Sequence, residues 1–302
     1  MGKKNDGIAG SLCALGCETL FGLSYLFTRR VTQTQSGFAL LGWRFLVALA
    51  AMGALALTGR VRLRLRGRSV RPLLRVALLS PCLYFIGETM GISRTTASES
   101  GAFLACIPVV SLAASAVILK KRPTRLQAAG ILVTLLGVLA TVLAVGFSSS
   151  LSASGYAFLL LAVLAYALYS VYVEKASGYS GAEITFVMLA AGALVFGGLS
   201  VVQAAAQGTL RALITLPLRD SAFFMAVLYQ GVGCSVLAFF LSNVAIAKIG
   251  VNRTASFIGV STVVSIAAGA FLLGERFTAG QLAGAVMILA GVYIANAGTA
   301  AA

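Results

Sequence analysis

The chain has 302 residues, of which 59% are hydrophobic and 10% charged, and its mean hydropathy is +0.97. A soluble domain carries about 25% charged residues, so the polar surface for a water-facing shell is missing and the bilayer is the solvent that suits this chain. The net charge of +15 comes without a single histidine, which removes His-based catalytic pairs and zinc sites, and the basic residues lie between apolar segments without interleaved aromatics, which argues against a nucleic-acid surface.

Crossing a membrane takes about 20 mainly apolar residues. Windows of that length predict ten helices, at 7–28, 36–58, 72–93, 97–119, 126–147, 153–173, 183–204, 221–243, 251–273 and 278–298. The opening MGKKNDG has no small-residue cleavage site behind it and reads as the lead-in to the first span, not as a signal peptide. The connections are short except for the basic stretch 59–71 and the segment 205–220. Cys13, Cys17, Cys82, Cys106 and Cys234 all lie in apolar segments, where a free thiol behaves as a small hydrophobe; neither disulfides nor a metal site is expected. With the N-terminus inside, sixteen Lys and Arg residues fall on the inner side and six on the outer, with Arg44 inside a span. The positive-inside rule then predicts a multi-pass inner (plasma) membrane protein with both termini cytoplasmic.

The spans divide into two related halves. VVSLAASA (109–116) returns as VVSIAAGA (263–270), and residues 119–138 match 273–292 at nine of twenty positions, where chance gives about two. The shared positions include Thr124/Thr278, Gln127/Gln281, Gly130/Gly284 and Gly137/Gly291. Five spans per half is an odd number, so the second half enters the membrane upside down. The expected fold is therefore all-α and integral to the membrane, with ten transmembrane helices in two inverted five-helix repeats, 1–150 and 151–302. Inverted repeats of this kind place a binding site at their interface near mid-membrane.

Several stretches carry a family resemblance: Phe21-Gly22, GWRFLVA (42–48), TTASESGAFLACIPVV (95–110) and the long run 242–292, with LGERFT (273–278) followed by Gln281 and Gly284 as its most specific part. On these the chain resembles the EamA branch of the drug/metabolite transporter superfamily. The resemblance implies a cavity lined by spans one to four and six to nine, with five and ten peripheral, and export of amino acids, other small metabolites or drugs, often coupled to an ion gradient. The first half departs from the pattern, with Lys120-Lys121-Arg122-Pro123 where the second has Gly274-Glu275-Arg276-Phe277.

Charges inside spans are costly and mark pathways or pairs. Asp6, Glu174, Glu183, Asp220 and Glu275 fall at ends or loops, which leaves Glu18, Glu88 and Glu99. Glu18 lies halfway along its span and is expected either to line the pathway or to pair with Arg44. Glu88 sits nearer the outer end, where a carboxylate can also snorkel, and Glu99 opens a helix, where the dipole welcomes it. Arg44 can hold a substrate carboxylate, although a structural ion pair is the stronger expectation. Tyr84, Tyr166, Tyr169, Tyr229, Gln230 and Asn243 add ring faces and hydrogen-bonding groups to the candidate pathway, with Tyr172 placed in an interfacial belt. Pro81 and Pro108 are expected hinge points.

These residues predict a secondary transporter working by alternating access, which exports a small metabolite such as an amino acid or amine against protons carried by Glu18 and Glu88. Import of an organic cation or nutrient through the same site is the alternative. No nucleophile–base or metal constellation is present to support a membrane enzyme. The expected partners are a small-molecule substrate, the proton and the lipid bilayer; no cofactor or oligomer is implied.

Overall fold

In hydrocarbon each backbone N–H and C=O must bond within its own segment, so long apolar runs become helices. The computed structural model describes residues 2–32, 34–95, 97–145, 152–273 and 278–297, and among them the chain is helical without a strand. The first half comprises α1 (Gly2–Thr32), α2 (Gly37–Leu57), α3 (Arg71–Ile92), α4 in two pieces (Ala97–Ala105 and Ile107–Ile118) and α5 (Arg125–Val145). The second comprises α6 (Ala153–Lys175), α7 (Gly181–Ala206), a short α8 (Leu210–Arg219), α9 (Ser221–Ser256), α10 (Val260–Leu273) and α11 (Ala279–Ala297). Among the described residues nine helices are long and apolar enough to cross a membrane, and α10 is a shorter apolar helix. Large apolar side chains stand exposed along these helices, among them Leu57, Leu194 and Phe271, as a lipid-facing surface requires. The molecule is a multi-pass membrane protein.

The predicted spans differ from the observed helices in three places. The first is longer than 7–28. Segment 205–220 contains α8, whose Leu210, Ile214 and Leu218 form one exposed apolar stripe beside Arg211 and Arg219; Trp43 Nε1 fastens it by donating to the Leu213 carbonyl at 3.0 Å. The helix predicted to end at 243 continues to a kink at Gly250 (φ 76, ψ 167), where a second helical piece begins and runs to Ser256, so the expected start of a span at 251 coincides with the backbone break. That positive φ is open to glycine and strained for other residues. At 14 residues α10 extends about 21 Å, less than the hydrocarbon thickness of about 30 Å.

The two halves repeat in detail. Thr124 and Gln127 close the start of α5 as a reciprocal cap, Gln127 N donating to Thr124 Oγ1 (3.1 Å) and Thr124 N to Gln127 Oε1 (3.0 Å). Thr278 and Gln281 do the same for α11, at 3.2 and 2.9 Å. The break in α4, where Cys106 N donates to Phe103 O, recurs before α10, where Val260 N donates to Phe257 O. Wide π-turn stretches interrupt both α3 (Leu78–Leu83) and α9 (Tyr229–Ala238). Pro81 lies in the first of these, beside Ser80, which leaves the helical region, and Pro108 opens the second piece of α4.

Packing exchanges the halves. α1 lies on α9 and α10 as α6 lies on α3 and α4, while α2 packs on α7 and α5 on α11. The α5–α11 pair is antiparallel: a Cβ on Gly130 would meet Gly291 O at 2.5 Å, and one on Gly137 would meet Gly284 O at 2.8 Å. Equivalent helices running in opposite senses make the two repeats inverted. The aromatic core formed by Phe45, Phe85, Phe196 and Phe239 sits where α2, α3, α7 and α9 converge.

Candidate functional site

Four of the five acids assigned to ends or loops have structural partners, and Glu275 lies outside the described residues. Asp6 pairs with Lys248, and Glu174 pairs with Lys121 while accepting from Val251 N at 2.7 Å. Glu183 closes a capping box with Ser180, accepts from Arg64 N at 2.8 Å and lies 3.7 Å from Arg68. Asp220 caps α9 through Phe223 N at 3.0 Å. The start of α1 and the end of α11 share one end of the molecule, since Arg253 reaches both Ser11 and Asn296.

The interior polar groups gather between the halves. Glu18, on α1, is buried beside Ser261 of α10 and close to Tyr166 of α6. One turn on, Gly22 allows this approach, because a Cβ there would lie 2.6 Å from Ser261 O. On α3, Tyr84 Oη donates to Glu88 Oε1 at 2.7 Å. The Tyr84 ring meets Tyr166 edge-on at 5.5 Å, and Tyr166 meets Tyr169 at the same spacing. Tyr169 Oη donates to Asn243 Oδ1 (2.7 Å), and Asn243 Nδ2 donates to Thr185 Oγ1 of α7 (3.0 Å). A continuous polar–aromatic path thus runs from Glu88 to Asn243 across α3, α6, α9 and α7. Tyr84, Glu88 and Tyr166 keep part of their surface open, whereas Tyr169 and Asn243 are buried.

Arg44 occupies the same region from α2. Its Nε donates to Ser235 Oγ at 2.7 Å and its Nη1 to Gln230 Oε1 at 3.3 Å, both on the π-turn stretch of α9. Gly231, between them, lets α9 come close, since a Cβ there would lie 3.0 Å from Arg44 O. The guanidinium stacks on Phe85 at 4.8 Å, with Phe45 at 5.5 Å and Phe239 at 6.0 Å. Its Nη2 is buried without a hydrogen-bond partner among the described residues. An unmet buried donor costs about 1–3 kcal/mol.

The expected pairing of Arg44 with a carboxylate is not formed. Among the described residues no Asp or Glu lies within ion-pair distance of it; Glu88 acts on it through space, and Glu18 faces Ser261 instead. The reason is packing: α1 leans on α9 and α10, while α2 leans on α7. Two further candidates have local roles. Glu99 lies at the start of α4, where it accepts from Tyr156 of α6. Tyr229 joins α9 to α1 by donating to Leu20 O at 3.0 Å and stacking on Phe27 at 4.6 Å. Gln230 serves Arg44 and also donates to Thr28 at 3.0 Å. Phe85, Phe239, Ser235 and Thr185 join the cluster without having been singled out in the sequence. A small polar residue in an apolar run, such as Ser235, carries no pattern of its own.

Comparison with known proteins agrees with this architecture. A model of the EamA-like transporter family matches residues 8–143 and again 153–297. An uncharacterized transporter of Bacillus subtilis, YcxC, is 34% identical over 97% of this chain and 94% of its own length. A Salmonella typhimurium protein named as a probable amino-acid metabolite efflux pump is 28% identical over 61% of this chain and 62% of its own. A solved crystal structure superposes with a TM-score of 0.76 over 95% of this chain and 97% of its own, at 18% identity.

Proposed function

The chain belongs to the EamA-like transporter family, and on that premise we propose that it is a secondary transporter of the inner (plasma) membrane, exporting a small metabolite such as an amino acid or amine in exchange for protons. Its units are the repeats 1–150 and 151–302, which alternate access to a site between them, and both termini are cytoplasmic. The observation that carries this reading is the cluster at the meeting of the halves, where Glu18 lies close to Tyr166, Tyr166 meets Tyr84 and Tyr169, and Tyr84 holds Glu88 within electrostatic reach of Arg44. A proton and the ammonium group of a substrate compete for the same carboxylate oxygens, so occupancy by one excludes the other. That exclusion is the simplest coupling for an exchanger. The distribution of Lys and Arg supports the orientation, and the Salmonella relative's name supports the substrate class.

The test is reconstitution in proteoliposomes of wild type, Glu18→Gln and Glu88→Gln, each assayed for pH-driven flux and for substrate exchange. Loss of pH-driven flux with exchange retained in at least one variant is the expected result. Wild-type behaviour of both variants would refute the proton assignment.

A further inference from the structure

We propose that Nη2 of Arg44 binds the carboxylate of the transported molecule, so that the chain selects amino acids with apolar side chains over the corresponding amines. This rests on reading the central cluster as the transport site, and it decides between the two substrate types left open there.

The donors of Arg44 are accounted for one by one. Nε is satisfied by Ser235 and Nη1 by Gln230, while Nη2 has no partner among the described residues, in a residue that is only 5% exposed. The rings of Phe85, Phe45 and Phe239 lie around the guanidinium, so a ligand would reach Nη2 at the edge of the group rather than through its face. A planar guanidinium with two hydrogens on one nitrogen fits a carboxylate better than any neutral group. Its charge has no ion-pair partner among the described residues. Glu88, close enough to act on Arg44 through space, is held by Tyr84, which sets an anion-binding and a cation-binding group near one another. A zwitterion matches that polarity, and the surrounding Phe and Tyr rings suit an apolar side chain. Arg44 also spans the two repeats, since it belongs to the first and both of its hydrogen-bond acceptors to the second. A carboxylate on Nη2 therefore sits where relative movement of the halves changes the geometry.

The experiment is counterflow in proteoliposomes, using labelled L-phenylalanine and L-leucine against phenethylamine, isoamylamine and phenylalaninamide as competitors. Wild type should favour each amino acid over its amine by at least about tenfold. Arg44→Gln should abolish that preference, and Arg44→Lys should weaken amino-acid binding by about tenfold or more, because a point charge replaces the fork. Ser235→Ala, which frees Nε, should reduce the preference several-fold, read as the ratio of amino-acid to amine competition within one preparation, an effect that loss of folding does not produce. Equal treatment of amine and amino acid by wild type, or an undiminished preference in Arg44→Gln, overturns the proposal and leaves Nη2 to an ordered water. Exchange of amines alone overturns this inference while the transport reading stands. Failure of folded wild type to exchange any member of the panel overturns both.

Discussion

The contact between α5 and α11 makes a sharp prediction about stability. A methyl at Gly130 would lie 2.5 Å from Gly291 O, where ordinary contact begins near 3.4 Å, so the helices must part by about 0.9 Å. The obstruction is backbone, which has no rotamer to escape into. Overpacking of this kind costs up to about 3 kcal/mol, and alanine's better helix propensity returns about 1 kcal/mol, so Gly130→Ala should destabilise by about 2 kcal/mol. Gly53 on α2 supplies the control, because nothing lies within 4 Å of a Cβ there; Gly53→Ala should be neutral or stabilising by up to about 1 kcal/mol. Equilibrium unfolding in mixed micelles, titrated with sodium dodecyl sulfate, measures both. Once the helices have parted, a second methyl costs less, so Gly130→Ala combined with Gly291→Ala should fall short of additivity. If Gly130→Ala and Gly53→Ala shift stability in the same direction, the close-contact argument is wrong.

Two other outcomes follow from the fold and the charge pattern. Gly250→Ala should cost about 1–3 kcal/mol, since alanine is strained at φ 76, ψ 167; thermal unfolding followed by size-exclusion chromatography reads the loss, and an unchanged melting temperature would count against the backbone break. Alkaline phosphatase fused after residue 302 should be inactive in cells, as expected from the charge distribution if that end is cytoplasmic; high phosphatase activity would reverse the orientation.

Hydropathy revealed the membrane class and the order of the spans, because in lipid the cost of an unpaired backbone group leaves little choice besides helix. The internal repeat was equally legible, and its matched residues have plain tasks. Thr124/Thr278 and Gln127/Gln281 are caps, and the matched glycines are the places where α5 and α11 touch. Boundaries were harder. Ser242, Asn243 and Lys248 lower the hydropathy enough to end a span there, yet the chain stays helical until Gly250. α8 escaped notice because ten residues with a proline make a poor span and a reasonable loop. Within the site, the residue types were readable but their partners were not. Glu18 and Arg44 are the obvious opposite charges in adjacent spans, but adjacency in sequence did not become contact, because α2 turns toward α7 and α9. Arg44 found its hydrogen bonds at Ser235 and Gln230, about 190 residues away.

The glycine crossing has a consequence for the ancestry of the chain. Exchanging the halves carries the Gly130–Gly291 contact onto Gly284–Gly137, so the surface is complementary to itself, as in an isologous dimer. A free-standing half inserted in the bilayer in both senses would find on its own copy the face that the other repeat now provides. Joining two such halves end to end removes the need for dual insertion, and each copy is then free to diverge. Lys120 and Lys121, which stand where the second half carries Gly274 and Glu275, show that divergence. Self-complementarity is retained at the glycine contact, where the two repeats touch across the axis.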